Sequence, residues 1–187
     1  MIIPKEYSLV QVATAPYNNK KINIKRYQKQ PRINYNGPHI TIVSDEEGLV
    51  YEYSSLTHRN NFALPTDNAA KMIAQQMITA IEPKRFSKLS FLEIEDQERF
   101  FIDRNGNRQM IPILWVKYSD TTDGFSWVGI AGNGEVVEYE RQAFYDYVNG
   151  GGKTEQWIND DWLLQHKSLF FKSKLTGSQK CEETNDD

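Results

Sequence analysis

The residues best placed to do phosphate chemistry stand together at Gly150-Gly151-Gly152-Lys153-Thr154. A phosphate-binding loop also needs a glycine five positions before the Gly of Gly-Lys-Thr, where this chain has Tyr147, and it must follow a strand. The residues before it, Gln142 to Val148, read as a helix, so the glycines are expected to cap that helix and lead into another. Asp103-Arg104-Asn105-Gly106-Asn107 opens like a calcium loop, but its glycine comes two places early and the distal bidentate glutamate is missing. Asp45-Glu46-Glu47 is a set of acids at a hairpin tip, where solvation is the simpler role. Asp160 and Asp161 are neighbours on a helical stretch and point in different directions. Carboxylates that share acid–base work must converge from separate elements in a cleft.

His39, His58 and His166 share no metal-ligand spacing, and no Gly-x-Ser-x-Gly elbow is present. The one cysteine, Cys181, excludes an internal disulfide framework and stands in a polar stretch that offers a nucleophile no supporting shell. On these grounds the chain reads as a non-enzyme, with no catalytic residue, metal or cofactor assigned.

Charge is distributed unevenly. The first 44 residues hold seven basic side chains against one acid, and the remainder holds 15 against 24. Lys20, Lys21, Lys25, Arg26, Lys29 and Arg32 are interleaved with Tyr17, Tyr27 and Tyr35, a composition suited to single-stranded nucleic acid through charge and stacking. Two other readings stay open: lysines that guard an edge strand against aggregation, or a segment that docks on the acidic remainder.

The elements that must position these groups are mostly strands. Tyr7 to Thr14 reads as a strand. Lys21 to Tyr27 alternates, with Ile22 and Ile24 on one face and Lys21, Asn23 and Lys25 on the other. His39–Val43 and Leu49–Tyr53 flank a turn ending in Gly48. Thr66 caps a helix running to Ile81, with Ala70, Ile73, Ala74, Met77, Ile78 and Ile81 on one stripe and Met72 and Met77 as core fillers. Leu89 to Glu95 and Arg99 to Asp103 follow as strands. Ile111 to Tyr118 is apolar on both faces and is expected at the centre of a sheet, leading a meander through Phe125–Ile130 and Glu135–Tyr139. The core should hold Ile73, Met77, Ile113, Trp115, Val128 and Val136, and a second short helix should span Thr154 to His166.

This predicts an α+β fold: mainly antiparallel sheet, one amphipathic helix on a face and two short helices near the C-terminus. The expected units are a basic N-terminal β-unit over 1–63, a helix-plus-meander unit over 64–172 and a disordered polar tail over 173–187. Gly48 and Gly134 each close a hairpin with Gly-x-Val-x-Glu-Tyr, which fits either generic hairpin chemistry or two tandem β-units. No apolar run approaches a membrane span. Met1 to Lys5 lacks a signal-peptide apolar region, which as the sequence stands implies the cytoplasm, or the cell envelope or exterior if a leader was removed.

Leu64 to Ala74, together with the meander from Ile111 to Tyr139, resembles a PepSY-type domain. In that family an alanine-rich amphipathic helix precedes an antiparallel sheet with a Trp-bearing strand, here Leu114-Trp115-Val116, and a hairpin leaving through Gly134-Glu135-Val136-Val137. The resemblance covers Pro65 to Arg141, and Gly37 to Ser55 would be the end of a preceding copy. It implies protease inhibition or regulation at the cell envelope and supplies no catalytic residues. The function expected is thus a non-catalytic module for a protein or peptide partner, with Tyr51, Tyr53, Tyr139 and Trp157 as interface aromatics. The alternative is a single-stranded nucleic-acid-binding accessory protein using the basic segment.

Overall fold

A computed structural model describes residues 3–17, 20–120, 124–143, 145–146, 151–152 and 155–166. Eight strands form one antiparallel sheet: β1 (Ser8–Tyr17), β2 (Lys20–Gln28), β3 (His39–Asp45), β4 (Val50–Leu56), β5 (Leu89–Ile102), β6 (Arg108–Asp120), β7 (Gly124–Ile130) and β8 (Val136–Ala143). Their order across the sheet is β1-β2-β3-β4-β8-β7-β6-β5. Two four-stranded meanders therefore meet along β4 and β8, where Tyr53 lies opposite Tyr139, Glu52 opposite Glu140 and Ser54 opposite Glu138. Two further pairs of residues, β9 (Tyr145–Asp146) and β10 (Gly151–Gly152), make a small ladder of their own.

The helices among the described residues are α1 (Asp67–Ile81) and α2 (Asp160–Gln165). The fold is therefore mainly β, and the expected α+β class is corrected. Two misread segments account for the difference. Gln142 and Ala143 continue β8, and Tyr145–Asp146 is extended, so the described part of the stretch from Gln142 to Val148 is strand. Among the described residues of the Thr154–His166 stretch, only Asp160–Gln165 is helical, because Asn159 supplies the N-cap, its side chain accepting from the backbone N–H groups of Asp161 and Trp162. The polar tail lies outside the described residues.

α1 forms as its spacing predicts. Thr66 Oγ1 accepts from the Ala69 N–H, and Ala70, Ala74 and Ile78 are fully buried. Met72 instead points outward at 62 % exposure, since it stands off the stripe that Ala70, Ala74 and Ile78 define. The helix covers one face of the sheet, packing with Tyr53, Val116, Val128, Ile130 and Tyr139. Arg141 anchors its C-terminal end through Glu82, at 2.9 Å.

β6 is the penultimate strand, between β5 and β7, and not the centre. It is still apolar on both faces because each face is used: Leu114 and Val116 meet the helix-side core, while Ile111 and Ile113 join Leu56, Phe101 and Val137 on the other side. Leu89 to Ile102 is one long strand with a bulge near Leu92, where two shorter ones were expected.

The face away from α1 is divided. Over β1 to β3 it is covered by residues 155–166, whose Trp157 and Leu163 pack with Ala13, Tyr17, Ile22, Ile24, Val43 and Tyr51. Over β5 to β8, Ile111, Ile113 and Val137 are buried in a small core with Leu56 and Phe101, and the polar part beside it opens onto a cavity. The sheet coils far enough for the Ile102 N–H to donate to the Asn36 carbonyl in the β2–β3 loop, at 2.6 Å. The polar part thus becomes one wall of that cavity. No helix among the described residues is long and apolar enough to cross a membrane.

Candidate functional site

The cavity has a volume of about 690 Å³. Its floor is the open face of β4, β8, β7 and β6, presenting Ser54, Glu138, Glu140, Trp127, Trp115 and Lys117. One rim is β5, with Leu92, Gln97, Arg99 and Phe100. The opposite rim is the 156–161 segment, with Ile158 and Asn159.

Strand alternation puts these groups on one face. In β8, Glu138 and Glu140 are two residues apart and share a face, while Tyr139 points to the helix side and is fully buried. Glu52 enters the same face from β4, directly opposite Glu140. Gly129 lies opposite Glu138 in β7, and a side chain there would meet the Glu138 Cβ at 2.9 Å. The missing side chain is what lets Glu138 lie down on the sheet.

The three carboxylates are buried, at 3 %, 7 % and 6 % exposure for Glu52, Glu138 and Glu140, yet they are not treated alike. Arg99 reaches from β5 and forks onto Glu138, donating from Nε and from Nη2 (2.9 Å for the latter). Trp127 Nε1 donates to the same carboxylate at 3.1 Å. Glu52 receives the backbone N–H groups of Ile158 and Trp157, which tie the C-terminal segment down; Oε2 has no hydrogen-bond partner among the described residues. Burial, reinforced by Glu138 and Glu155, nevertheless pushes the Glu52 carboxyl well above its ordinary range. Burial, and then Glu52 and Glu138, do the same to Glu140 against the pull of Arg99. Among the described residues no hydrogen bond or ion pair is made to the Glu140 carboxyl.

Beside the acids stands an aromatic pair. Trp115 and Trp127 pack at 4.7 Å between ring centroids. Trp115 carries cations on its ring, Lys117 Nζ at 4.7 Å and the Arg99 guanidinium at 5.5 Å. Lys117 is also held by Glu93 and Glu95 of β5. Trp115 is thus a cavity-floor residue packed at the edge of a core, where the sequence predicted an interior one. Ile113 and Val128 are fully buried as predicted, and Ile73, Met77 and Val136 pack partly buried against the helix-side core.

A second charged cluster closes the far end. Arg26 is 1 % exposed and donates both terminal nitrogens to Asp160, each at 2.6 Å. The Asn36 N–H also donates to Asp160. Burial raises the Asp160 carboxyl, but His39, the Arg26 fork and the Asn36 amide together hold it below its ordinary value. His39 Nδ1 donates to the Gly37 carbonyl at 2.8 Å, leaving Nε2 an acceptor without a partner among the described residues. Burial, with Arg26 beside it, lowers the ring to about 4, so it is neutral near pH 7.

The predicted polyanion contacts do not form one cationic face. Arg26 is interior. Lys20 pairs with Asp45 at 3.4 Å, Lys21 with Glu46 at 3.2 Å and Lys29 with Glu6 at 3.3 Å, while Lys25 and Arg32 make no ion pair among the described residues. The interface aromatics are interior too: Tyr51, Tyr53 and Tyr139 are buried because both faces of β4 and β8 are covered where these rings lie, and Trp157 is buried against β1 to β4. Asp45 and Asp103 serve their own hairpins. Asp45 Oδ1 accepts from Glu47 and Leu49, and Asp103 Oδ1 from Asn105 and Asn107. His58 meets Glu135 at 3.3 Å, and His166 stacks on Trp162. Of the phosphate-loop residues only Gly151 and Gly152 are described, in β10. Among the described residues no group of three His, Cys, Asp or Glu side chains could hold a metal ion.

Glu52, Glu138, Glu140, Arg99 and Trp127 went unassigned in the sequence. The signal was there in Val137-Glu138-Tyr139-Glu140: two acids at period two in a strand whose other face is apolar belong to an interior face. The same logic carried past Ile22 and Ile24 lands on Arg26, and a cation on an apolar face demands a buried acid.

Comparison of the chain with family models, with curated proteins and with solved structures finds no match.

Proposed function

We propose that this chain is a non-catalytic binding module for a peptide or protein partner, received as an added strand along β5. The observation that carries this is the position of β5. It ends the sheet, runs 14 residues, and its one strand neighbour among the described residues is β6, with only the Ile102 N–H at its end taken by Asn36. An unpaired strand edge offers backbone N–H and C=O groups that an extended peptide can satisfy, while alternate side chains find pockets. Here the pocket adjoins the edge, since β5 and the 156–161 segment form opposite rims of the cavity. Phe91, Leu92 and Ile102 are exposed along the strand, and Glu93, Glu95, Asp96 and Glu98 give it an acidic cast. The protein-regulatory role implied by the PepSY-type resemblance agrees with such a partner.

The test is selection of displayed random peptides followed by amide hydrogen exchange. Bound peptide should slow exchange across Leu89 to Phe101. Protection confined to α1 or to β1, with β5 unaffected, refutes the strand-addition reading.

A further inference from the structure

We propose that the cavity takes a cationic group, an alkylammonium or guanidinium as at the end of a lysine or arginine side chain, seated between the indole of Trp127 and the carboxyl of Glu140. This rests on the peptide-binding reading for its source and on the cavity alone for its chemistry.

The molecule already contains one copy of the arrangement. Arg99 lies across the Trp115 ring and forks onto Glu138, so one guanidinium is held by one indole and one glutamate of the cavity floor. Two residues along β8, the pattern recurs with its cation missing. Trp127 lies opposite Glu140 in the β7–β8 register. Both line the cavity, and Glu140 is 6 % exposed without a hydrogen bond or ion pair among the described residues. A buried carboxyl with no partner is costly unless it is protonated or meets a donor. An N–H cation meets that need and also gains the face of an indole in a desolvated site.

Charge counting agrees. Glu52, Glu138 and Glu140 crowd one face, and the base in contact with them is Arg99, already committed to Glu138. A neutral ligand would leave Glu140 protonated and its acceptor capacity idle. An anion would stand beside the cluster against repulsion.

Binding should be linked to protons. Glu140 is faced by Glu52 from β4, Glu138 from its own strand, Arg99 from β5 and Tyr17 from β1. Of these only Arg99 favours its ionisation, so an arriving cation displaces the Glu140 proton. Affinity should therefore rise with pH, with proton release visible as a buffer-dependent heat.

The experiment uses the full chain with N-acetyl-arginine amide and N-acetyl-lysine amide, and N-acetyl-norleucine amide as the uncharged control. The indole N–H resonances are followed by NMR in wild type and in Glu140→Gln. Gln copies the uncharged carboxyl in size, so the variant should fold, and its dispersed spectrum verifies that. A saturable shift of the Trp127 indole with both cations is expected, weakened about tenfold or more in Glu140→Gln, as for loss of a hydrogen bond to a charged group. Equal response to norleucine amide, unchanged cation affinity in Glu140→Gln, or a silent Trp127 indole overturns the proposal. Selected peptides that protect β5 without enrichment in Lys or Arg also overturn it, while leaving the strand-addition reading standing. Cations that shift Trp127 while no peptide protects β5 do the reverse.

Discussion

The molecule buries two charged clusters on the same side of its sheet, and they are built to different rules. Around Arg26, Asp160 and His39 the charges match: one guanidinium, one carboxylate with both oxygens engaged, and a histidine kept neutral. Around Arg99, Glu52, Glu138 and Glu140 they do not: one guanidinium faces three carboxyls, and two of those are driven toward their protonated forms. The first cluster fastens the C-terminal segment across β2 and closes its half of the face. The second leaves its half open, beside a cavity. A buried charge with its partner in place is a fastening, and the unmatched carboxyls are where we propose that a cation binds.

The sharpest way to break this contrast is to remove one member of the matched cluster. Asp160→Ala should cost about 3–5 kcal/mol in urea unfolding, because it strands Arg26 inside the protein. The 155–166 amides should exchange faster at the same time. Arg26→Met combined with Asp160→Leu should recover most of the loss, which a single missing contact would not explain. Glu140→Gln is the counterpart in the unmatched cluster and should have the opposite sign, with stability at pH 8 unchanged or raised. A Glu140→Gln variant as unstable as Asp160→Ala would erase the distinction.

The pH dependence of stability sharpens the comparison further. Glu52 and Glu140 have folded values raised above the ordinary 4.5. Their contribution is complete below that value and declines as pH rises through the folded range. His39 runs the other way. Its folded value is depressed from 6.5 to about 4, so its contribution is complete above 6.5 and is lost as pH falls toward 4. Denaturant midpoints between pH 4 and pH 8 should show the two limbs opposing each other where they overlap. Glu140→Gln should flatten the upper limb and leave the lower one intact.

The smallest expected effect separates two adjacent residues. Lys25→Glu, on the exposed side of β2, should move stability by no more than about 0.5 kcal/mol. Arg26→Glu should unfold the protein, since it sets a second carboxylate against Asp160. If the pair behaved alike, the basic segment would be a surface stripe after all.

That pair also marks how far the sequence could be read. Period-two alternation was visible through Ile22 and Ile24, and the helix was legible from Thr66 to its apolar stripe, because both are local patterns. Hairpin turns at Gly48 and Gly106 were legible for the same reason, each needing positive φ. Strand order was not, since β4 meets β8 across more than 80 positions of chain, and nothing local dictates that pairing. Hence Ile111–Tyr118 looked central when its cover comes from β5, β7 and α1. Tyr51, Tyr53 and Tyr139 look like surface anchors in the sequence because their strands alternate them with polar residues such as Glu52, Glu138 and Glu140. In fact those glutamates face a cavity, and the tyrosines fill cores on either side of the sheet.

The meeting of β4 and β8 has a consequence for how this chain could be taken apart. Each meander is continuous in sequence, and they join through three residue pairs, one of which is Glu52 against Glu140. A chain severed between residues 57 and 66 would yield two fragments whose reassembly runs along this short seam and through the Arg26–Asp160 clasp. Repulsion between Glu52 and Glu140 relaxes when they hold protons, so complementation of the halves should be tighter in mild acid than at pH 8. The seam would then act as a coincidence detector, reporting at once that two pieces have met and that protons are plentiful.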